Sequence, residues 1–505
     1  MAILQYLHII FEPLNFALIL LGLVIGIIFG MLPGLSGVTA VAVILPFSYS
    51  MSPVTALIFM SSIYCSSVYS GSISAILFKS PGDAPAFCTT FDGYPLTLKG
   101  EGQRALVAAL ASSGIGGIIG ILIALVGATY LARIGLKFGP VEYFALGILG
   151  LSLVATVGNK SVAKGIISVS LGLLVSCIGF DSISGIQRFT FGSINLLSGV
   201  YFIPVIIGLF AVSEVFNQFS KLPARKKLEI KMKSKIEKMR FLSKEDVKLA
   251  LPHWIRNSFV GAFIGMLPGA GATVSALIGY GISHRFSKNK DQFGKGAIEG
   301  VVGPETANNA AVGGALVPLL TLGIPGSATT AIMLSVFLIH GLQPGPFLFR
   351  NSPETMYPIF LSMIVINILI LVIPYFLMKH IVRILEVPYE YLGSLILLLS
   401  VLGAYALNNR IYDVWIVFIF GVVGYLMNRY GFSPAALILG LVLGTMIEEG
   451  YRKSMILFRG DVMALFDKPI AVVLLLIALA ILIFSILPGI KVFLKNLAGK
   501  SEVAK

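Results

Sequence analysis

The chain has 505 residues, of which 57% are hydrophobic and only 12% charged, with a mean hydropathy of +0.93. Ordinary globular domains carry about 25% charged residues, so this composition excludes a water-soluble fold and indicates an all-α polytopic membrane protein. The net charge of +14 does not indicate nucleic-acid binding, because the Lys and Arg residues lie between apolar runs, where the positive-inside rule predicts them.

Apolar runs long enough to cross roughly 30 Å of hydrocarbon occupy about residues 14–30, 54–78, 105–131, 141–158, 162–180 and 199–219. The first ten residues have no basic n-region or small-residue cleavage site, so they are expected in the mature chain. Residues 221–250 turn polar and carry eleven Lys or Arg against four acids, which predicts a cytoplasmic linker between two membrane halves, 1–220 and 251–505. Further apolar runs follow near 254–282, 309–341, 355–378, 389–408, 411–428, 433–447 and 469–490. Charge then predicts the polar stretch 81–104, Lys160 and Lys164, Arg429, the cluster Lys379, His380 and Arg383, and the C-terminal tail inside. It predicts residues 181–198 with Glu448 and Glu449 outside, and leaves Arg133 and Lys137 as exceptions. Cys65, Cys88 and Cys177 have no metal-ligand spacing and read as small buried hydrophobes.

Two stretches read almost alike. Gly30-Met31-Leu32-Pro33-Gly34-Leu35-Ser36-Gly37 recurs as Gly265-Met266-Leu267-Pro268-Gly269-Ala270-Gly271-Ala272. In hydrocarbon every backbone N–H and C=O needs a partner, so such a break persists only where protein or a wet cavity surrounds it. Each half adds a second break, Ser80-Pro81-Gly82-Asp83 and Ile324-Pro325-Gly326-Ser327. Four breaks in two halves predict a duplicated transporter of inverted repeats, with broken helices or re-entrant hairpins meeting near the midplane. Because basic residues flank both ends of 254–282, that run is expected to enter and return as a hairpin with its tip at Leu267 to Ala272.

A helix that restarts after Pro-Gly aims free N–H groups and the positive end of its dipole at the gap, which suits a carboxylate. One that stops there offers carbonyls to a cation, here those of Met31, Leu32, Met266 and Leu267 for Na⁺. The expected substrate-binding residues are Pro33, Gly34, Ser36, Gly37 and Thr39, paired with Pro268, Gly269, Gly271 and Thr273. A second pair joins Pro81, Gly82 and Asp83 to Pro325, Gly326, Ser327 and Thr329. The hydroxyl residues equally suit helix capping and close helix packing. Pro304 suits a first helical position, and Glu305, Asn308 and Asn309 share one face. Glu305 is the candidate for cation coupling, since an intramembrane acid is costly, although it would also complement a helix N-terminus. Lys79 is expected either to steer an anion or to snorkel to the cytoplasm. With no phosphate-binding G-x-x-x-x-G-K-[ST], no H-E-x-x-H and scattered His253, His284, His340 and His380, no enzyme and no organic cofactor is expected.

The run through Phe293-Gly294-Lys295-Gly296, Pro304-Glu305, Ala307-Asn308-Asn309-Ala310, Thr321-Leu322-Gly323-Ile324-Pro325-Gly326-Ser327 and His340-Gly341-Leu342-Gln343-Pro344-Gly345-Pro346 resembles TctA, the large membrane subunit of tripartite tricarboxylate transporters. Gly30 to Gly37, Tyr69-Ser70-Gly71-Ser72-Ile73 and Asp92-Gly93-Tyr94-Pro95 resemble the first half of the same family, with a departure at Lys79-Ser80. The resemblance implies secondary active uptake of citrate or another organic acid across a bacterial or archaeal plasma membrane, driven by a Na⁺ or H⁺ gradient. It also implies two partners, a small TctB-like membrane subunit and a TctC-like extracytoplasmic binding protein. The alternative is a passive organic-anion channel or a non-transporting membrane scaffold.

Overall fold

A computed structural model describes residues 4–156, 161–181, 183–220, 241–269, 271–384 and 388–502. It is all-α apart from a two-residue β-hairpin, β1 (Gly179–Phe180) with β2 (Gln187–Arg188). Among the described residues, eight helices are long and apolar enough to cross a membrane. The chain forms two compact units, Met1–Leu136 with Tyr201–Leu426, and Lys137–Val200 with Met427–Lys505.

In the first unit, α1 (Pro13–Met31) ends where Pro33 removes a donor and Gly34 turns left-handed at φ +94°. The chain restarts as α2 (Gly37–Ile44), turns through residues 45–50, and enters α3 (Pro53–Phe78). Gly22, Gly26 and Gly30 of α1 meet Ser62, Ser66 and Ser70 of α3 in that order, so the two helices run parallel at backbone contact. Those serines donate to the carbonyls of Ile19, Gly22 and Gly26 at 2.7, 3.4 and 3.2 Å. These three hydroxyls of α3 are thereby satisfied although its membrane window is wholly buried, whereas those of Ser61 and Tyr69 have no partner among the described residues. After a second break come α4 (Thr90–Leu98) and the long α5 (Gly102–Gly135).

The second half repeats this order of elements. Here α9 (Lys244–Gly265) and α10 (Gly271–Phe286) flank one break, and α11 (Glu299–Leu322) and α12 (Ala328–Ile339) flank the next, before the long α13 (Pro353–Arg383). Gly261 and Gly265 lie against the backbone of Ala307 and Ala311, so α9 and α11 are parallel, as α1 and α3 are. Ser283 near the end of α10 bonds His253 and Asn257 near the start of α9, each at 3.0 Å, so 244–286 goes out and back as the expected hairpin. Ala270 at its tip lies outside the described residues. The central helices α3 and α11 run oppositely: Tyr64 of α3 reaches Ser327 beyond the end of α11, while Thr89, beyond the end of α3, reaches Glu305 near its start.

Two expectations change, and one segment gains a helix. Helix α11 begins at Glu299, ten residues before the apolar run that starts near 309, because Glu305, Asn308 and Asn309 depress hydropathy while being buried; Pro304 is therefore internal, not first. The basic stretch 221–240 lies outside the described residues, and 244–250 belong to α9, capped by Ser243. The polar loop 81–104 contains α4. Its last residue, Arg104, ion-pairs with Asp246 at 2.5 Å, joining two segments that the charge pattern placed on one side.

The unit is completed by α8 (Phe202–Ser220), with a π-helical turn at Ile207–Val212, and by α14 (Tyr389–Asn408) and α15 (Ile411–Tyr430). Gly208 packs on Val417 and Gly421 on Val212, setting α8 parallel to α15. The other unit contains α6 (Pro140–Thr156), α7 (Val162–Ser176), α16 (Pro434–Leu457) and α17 (Pro469–Glu502). Gly440 packs on Val169 and Gly444 on Ser176, so α16 lies parallel to α7. At one end Lys164 Nζ donates to the Tyr430 carbonyl at 2.6 Å; beyond the other end of α7, Arg188 bonds Glu448 at 2.6 Å and Arg452 bonds Asp181. The groups that the charge pattern put on a common side are thus neighbours.

Candidate functional site

Each second break folds back onto the first break of its own half. Gly82 N–H donates to the Gly71 carbonyl at 3.2 Å, and a Cβ on Gly82 would collide with the carbonyl of Gly30. In the other half Gly269 N–H donates to the Gly326 carbonyl at 3.0 Å, and a Cβ on Gly326 would stand 2.9 Å from the carbonyl of Gly265. Glycine is required at both places because backbone occupies the side-chain position. The expected pairing, first break with third and second with fourth, is replaced by first with second and third with fourth. Spacing along a sequence does not reveal which broken ends fold back together, and this depends on the return of the chain after α3 and α11.

Across the halves it is the restarted segments that meet. Helix α2 packs on α12, and α10 packs on the short turn Ala84–Phe87, with the Tyr280 and Phe91 ring centroids 5.4 Å apart just beyond it. Tyr64 Oη lies 3.2 Å from Ser327 Oγ, tying α3 to the fourth break. Along α3 the two break pairs are set at Tyr64 and Gly71, a separation of about 10 Å at 1.5 Å per residue.

The restarted helices are capped locally. Ser36 accepts from Thr39 N–H at 3.2 Å. Ser327 and Thr330 form a reciprocal capping box, with 3.2 Å and 2.8 Å bonds. Thr39 Oγ1 donates to the Phe210 carbonyl at 3.4 Å, inside the π-helical turn of α8. Thr329 is buried on α12, Thr273 is exposed on α10, and Pro33, Gly34, Pro81, Pro268, Gly269 and Gly271 are half-buried at the break surfaces. Pro325 and Gly326 are buried. Asp83 bridges its pair: one carboxylate oxygen accepts from Ala84 N–H at 2.7 Å, the other from Gly37 N–H, the first residue of α2, at 3.2 Å. The positive end of α2 thus already faces a carboxylate. Of the four carbonyls considered for Na⁺, that of Leu32 accepts from Leu35 N–H at 3.0 Å. Lys79, left-handed at φ +57°, is exposed with its ammonium 5.9 Å from the Tyr94 ring centroid.

Glu305 is fully buried seven residues into α11, so helix-terminus complementation is not its role. Its carboxylate accepts from Thr89 Oγ1, from Ser113 Oγ at 3.2 Å and from Asn308 Nδ2 at 3.4 Å. Asn309 Nδ2 donates to the Glu305 carbonyl at 2.9 Å and to Asn308 Oδ1 at 2.6 Å. Three hydroxyl and amide groups from three segments therefore converge on one buried carboxylate, with Asn309 bracing Asn308 beside it.

The tripartite tricarboxylate transporter TctA family model matches residues 16–439. The chain belongs to the TctA family. A protein of Agrobacterium vitis described as an "uncharacterized 52.8 kDa protein in TAR-I ttuC′ 3′region" is 37% identical over 479 residues, covering 95% of this chain and 94% of the relative. A second, an "uncharacterized protein in TAR-II ttuC′ 3′region" of the same organism, is 39% identical over 231 residues, or 46% of this chain and 96% of the relative. No solved structure matches the chain.

Several residues around the breaks of this TctA chain escaped sequence reasoning. Tyr64 lies among aliphatic and serine residues of α3 and looks like core; Ser113 lies in a Gly- and Ser-rich stretch of α5. Thr89 belongs to a loop by hydropathy. Gln218, whose amide covers Gly34, is held at 2.6 Å by Glu214, and only the spacing of these two polar residues near the end of an apolar run could have marked them.

Proposed function

We propose that this TctA chain, a multi-pass transporter protein, performs secondary active uptake of an organic carboxylate. Uptake is driven by a Na⁺ or H⁺ gradient, with a TctB-like small subunit and a TctC-like binding protein as partners and no organic cofactor. The observation that carries this reading is the convergence of two break pairs on oppositely directed central helices, α3 and α11. Restarted helices α10 and α12 supply dipole ends for the anion, that of α2 being held by Asp83, and the carbonyls at Met31, Leu32, Met266 and Leu267 are the candidates for the cation. Glu305 serves coupling, poised among Thr89, Ser113 and Asn308. We further infer that the halves are inverted copies. Support comes from the shared order of elements, the parallel pairs α1 with α3 and α9 with α11, the opposed α3 and α11, and the equivalent Gly82 and Gly326 contacts. With the linker cytoplasmic, the α1–α2 hairpin enters from outside and the α9–α10 hairpin from inside, as alternating access between related halves requires.

The test is uptake of radiolabelled citrate and other organic acids into proteoliposomes, with and without a Na⁺ gradient, a pH gradient and the binding protein. Accumulation above the outside concentration supports the proposal. Equilibration alone would establish the passive channel instead.

A further inference from the structure

A cavity of about 300 Å³ lies in the first unit, lined among others by Tyr49, Tyr201, Phe202, Ser335, Leu338 and Asn408. Ser335 is two turns along α12 from Ser327, so the cavity is distinct from the breaks yet reached along the same helix. It sits at the end of the unit away from the linker. Tyr49 precedes α3, whose opposite end packs at Ile76 against Thr97, close in sequence to Arg104 and its partner Asp246 beside the linker.

Two polar groups have unused hydrogen-bonding capacity, one in the cavity wall and one stacked on a wall residue. Ser335 Oγ, on a residue 1% exposed, has no partner among the described residues. Arg410 stacks its guanidinium carbon 4.9 Å from the ring centroid of Tyr201, a wall residue, and its buried Nε and Nη2 likewise lack hydrogen-bond partners. Its one acidic neighbour among the described ion pairs, Asp413, stands 3.6 Å from Nη2, beyond hydrogen-bond length, and is itself bonded by Asn408 Nδ2 at 2.7 Å. A buried N–H left unpaired is costly, and a guanidinium edge with two adjacent free donors matches a carboxylate in bidentate geometry.

We infer that this cavity is an anteroom for the transported anion: Arg410 receives a carboxylate, Ser335 and Asn408 bond the remaining oxygens, and the aromatic walls hold the carbon skeleton before it passes along α12 to the breaks. This rests on the carboxylate-transport reading and adds a second subsite to it. At the end opposite a cytoplasmic linker, the anteroom faces the side on which a binding protein delivers its cargo.

The experiment uses Ser335→Cys in a Cys177→Ala background of the full chain, with citrate as the probe ligand. The cysteine should react about tenfold faster with an anionic methanethiosulfonate than with a cationic one, since a local positive charge raises the encounter rate of anions, and citrate should slow the reaction. Arg410→Gln should abolish both the preference and the protection, whereas Arg410→Lys should keep the preference. Asn408→Cys is the second reporter if Ser335→Cys does not fold. Equal rates for both reagents with Arg410 present, or an unchanged preference in Arg410→Gln, would overturn the anteroom. Labelling does not require translocation, so anion preference without accumulation in vesicles would reject active transport and leave the anteroom standing. Accumulation without anion preference would do the reverse.

Discussion

The two break pairs share a backbone and differ in side chains. Gly34 and Gly269 take equivalent left-handed turns, φ +94° and +81°, and Gly82 and Gly326 press equivalent carbonyls. At the C-terminal cap of the central helix, Lys79 in one half stands where Gly323 stands in the other, both left-handed at φ +57° and +73°. At the cap after Pro-Gly, Asp83 stands where Ser327 stands. The lesson is that Pro-Gly chemistry sets the geometry, while ionic character is assigned to one pair only. The fully buried acid, Glu305, is assigned to the other half. The register that sets Ser67 against Gly30 and Ala311 against Gly265 makes Ser61, whose buried hydroxyl has no partner among the described residues, the counterpart of Glu305.

The largest expected effect comes from the shared geometry. Gly82→Ala should destabilise the protein by about 3 kcal/mol and Gly326→Ala by about 1 kcal/mol, because the contact in the first half is tighter and backbone cannot yield as a side-chain tip can. Thermal unfolding in detergent reads the difference, and equal shifts would mean that the first pair is no tighter than the second. Next, Glu305→Gln should lower gradient-driven uptake at least tenfold while altering citrate affinity less, as expected of a coupling group. Full uptake by this variant removes Glu305 from coupling. Asp83→Ser makes the first pair resemble the second and frees the N-terminus of α2 for substrate; the KM for the anion should fall roughly fivefold, for an interaction of about 1 kcal/mol. An unchanged KM would show that substrate does not touch that helix end. The smallest effect belongs to Lys79→Gly, which removes a left-handed side-chain residue and should stabilise the fold by about 1 kcal/mol; a lowered Tm would mean that the contact with Tyr94 outweighs the strain.

Much of this architecture is written in local chemistry. The spans at 13–31, 53–78 and 353–383 follow from uninterrupted apolar runs, and the hairpin at 244–286 follows from a Pro-Gly break flanked on both sides by basic residues. Helix α11 was legible only in its second half. Glu305 and its two asparagines read as a boundary because hydropathy counts a polar residue as wet, whereas here Thr89 and Ser113 replace the water. The same reason hides Tyr64: a tyrosine on a buried helix has no sequence mark to distinguish packing from a bond to Ser327.

By itself the sequence determined that the chain lives in a membrane, where its four helix breaks fall, and which side chains accompany them. These follow from residue-by-residue properties: hydropathy, the missing N–H of proline and the left-handed freedom of glycine. Tertiary structure alone decided which breaks fold together and what surrounds Glu305 and Ser335. Those contacts join residues up to 263 positions apart, as Tyr64 and Ser327 are, and whether a buried polar group finds a partner depends on the packing of whole helices rather than on anything in its own segment.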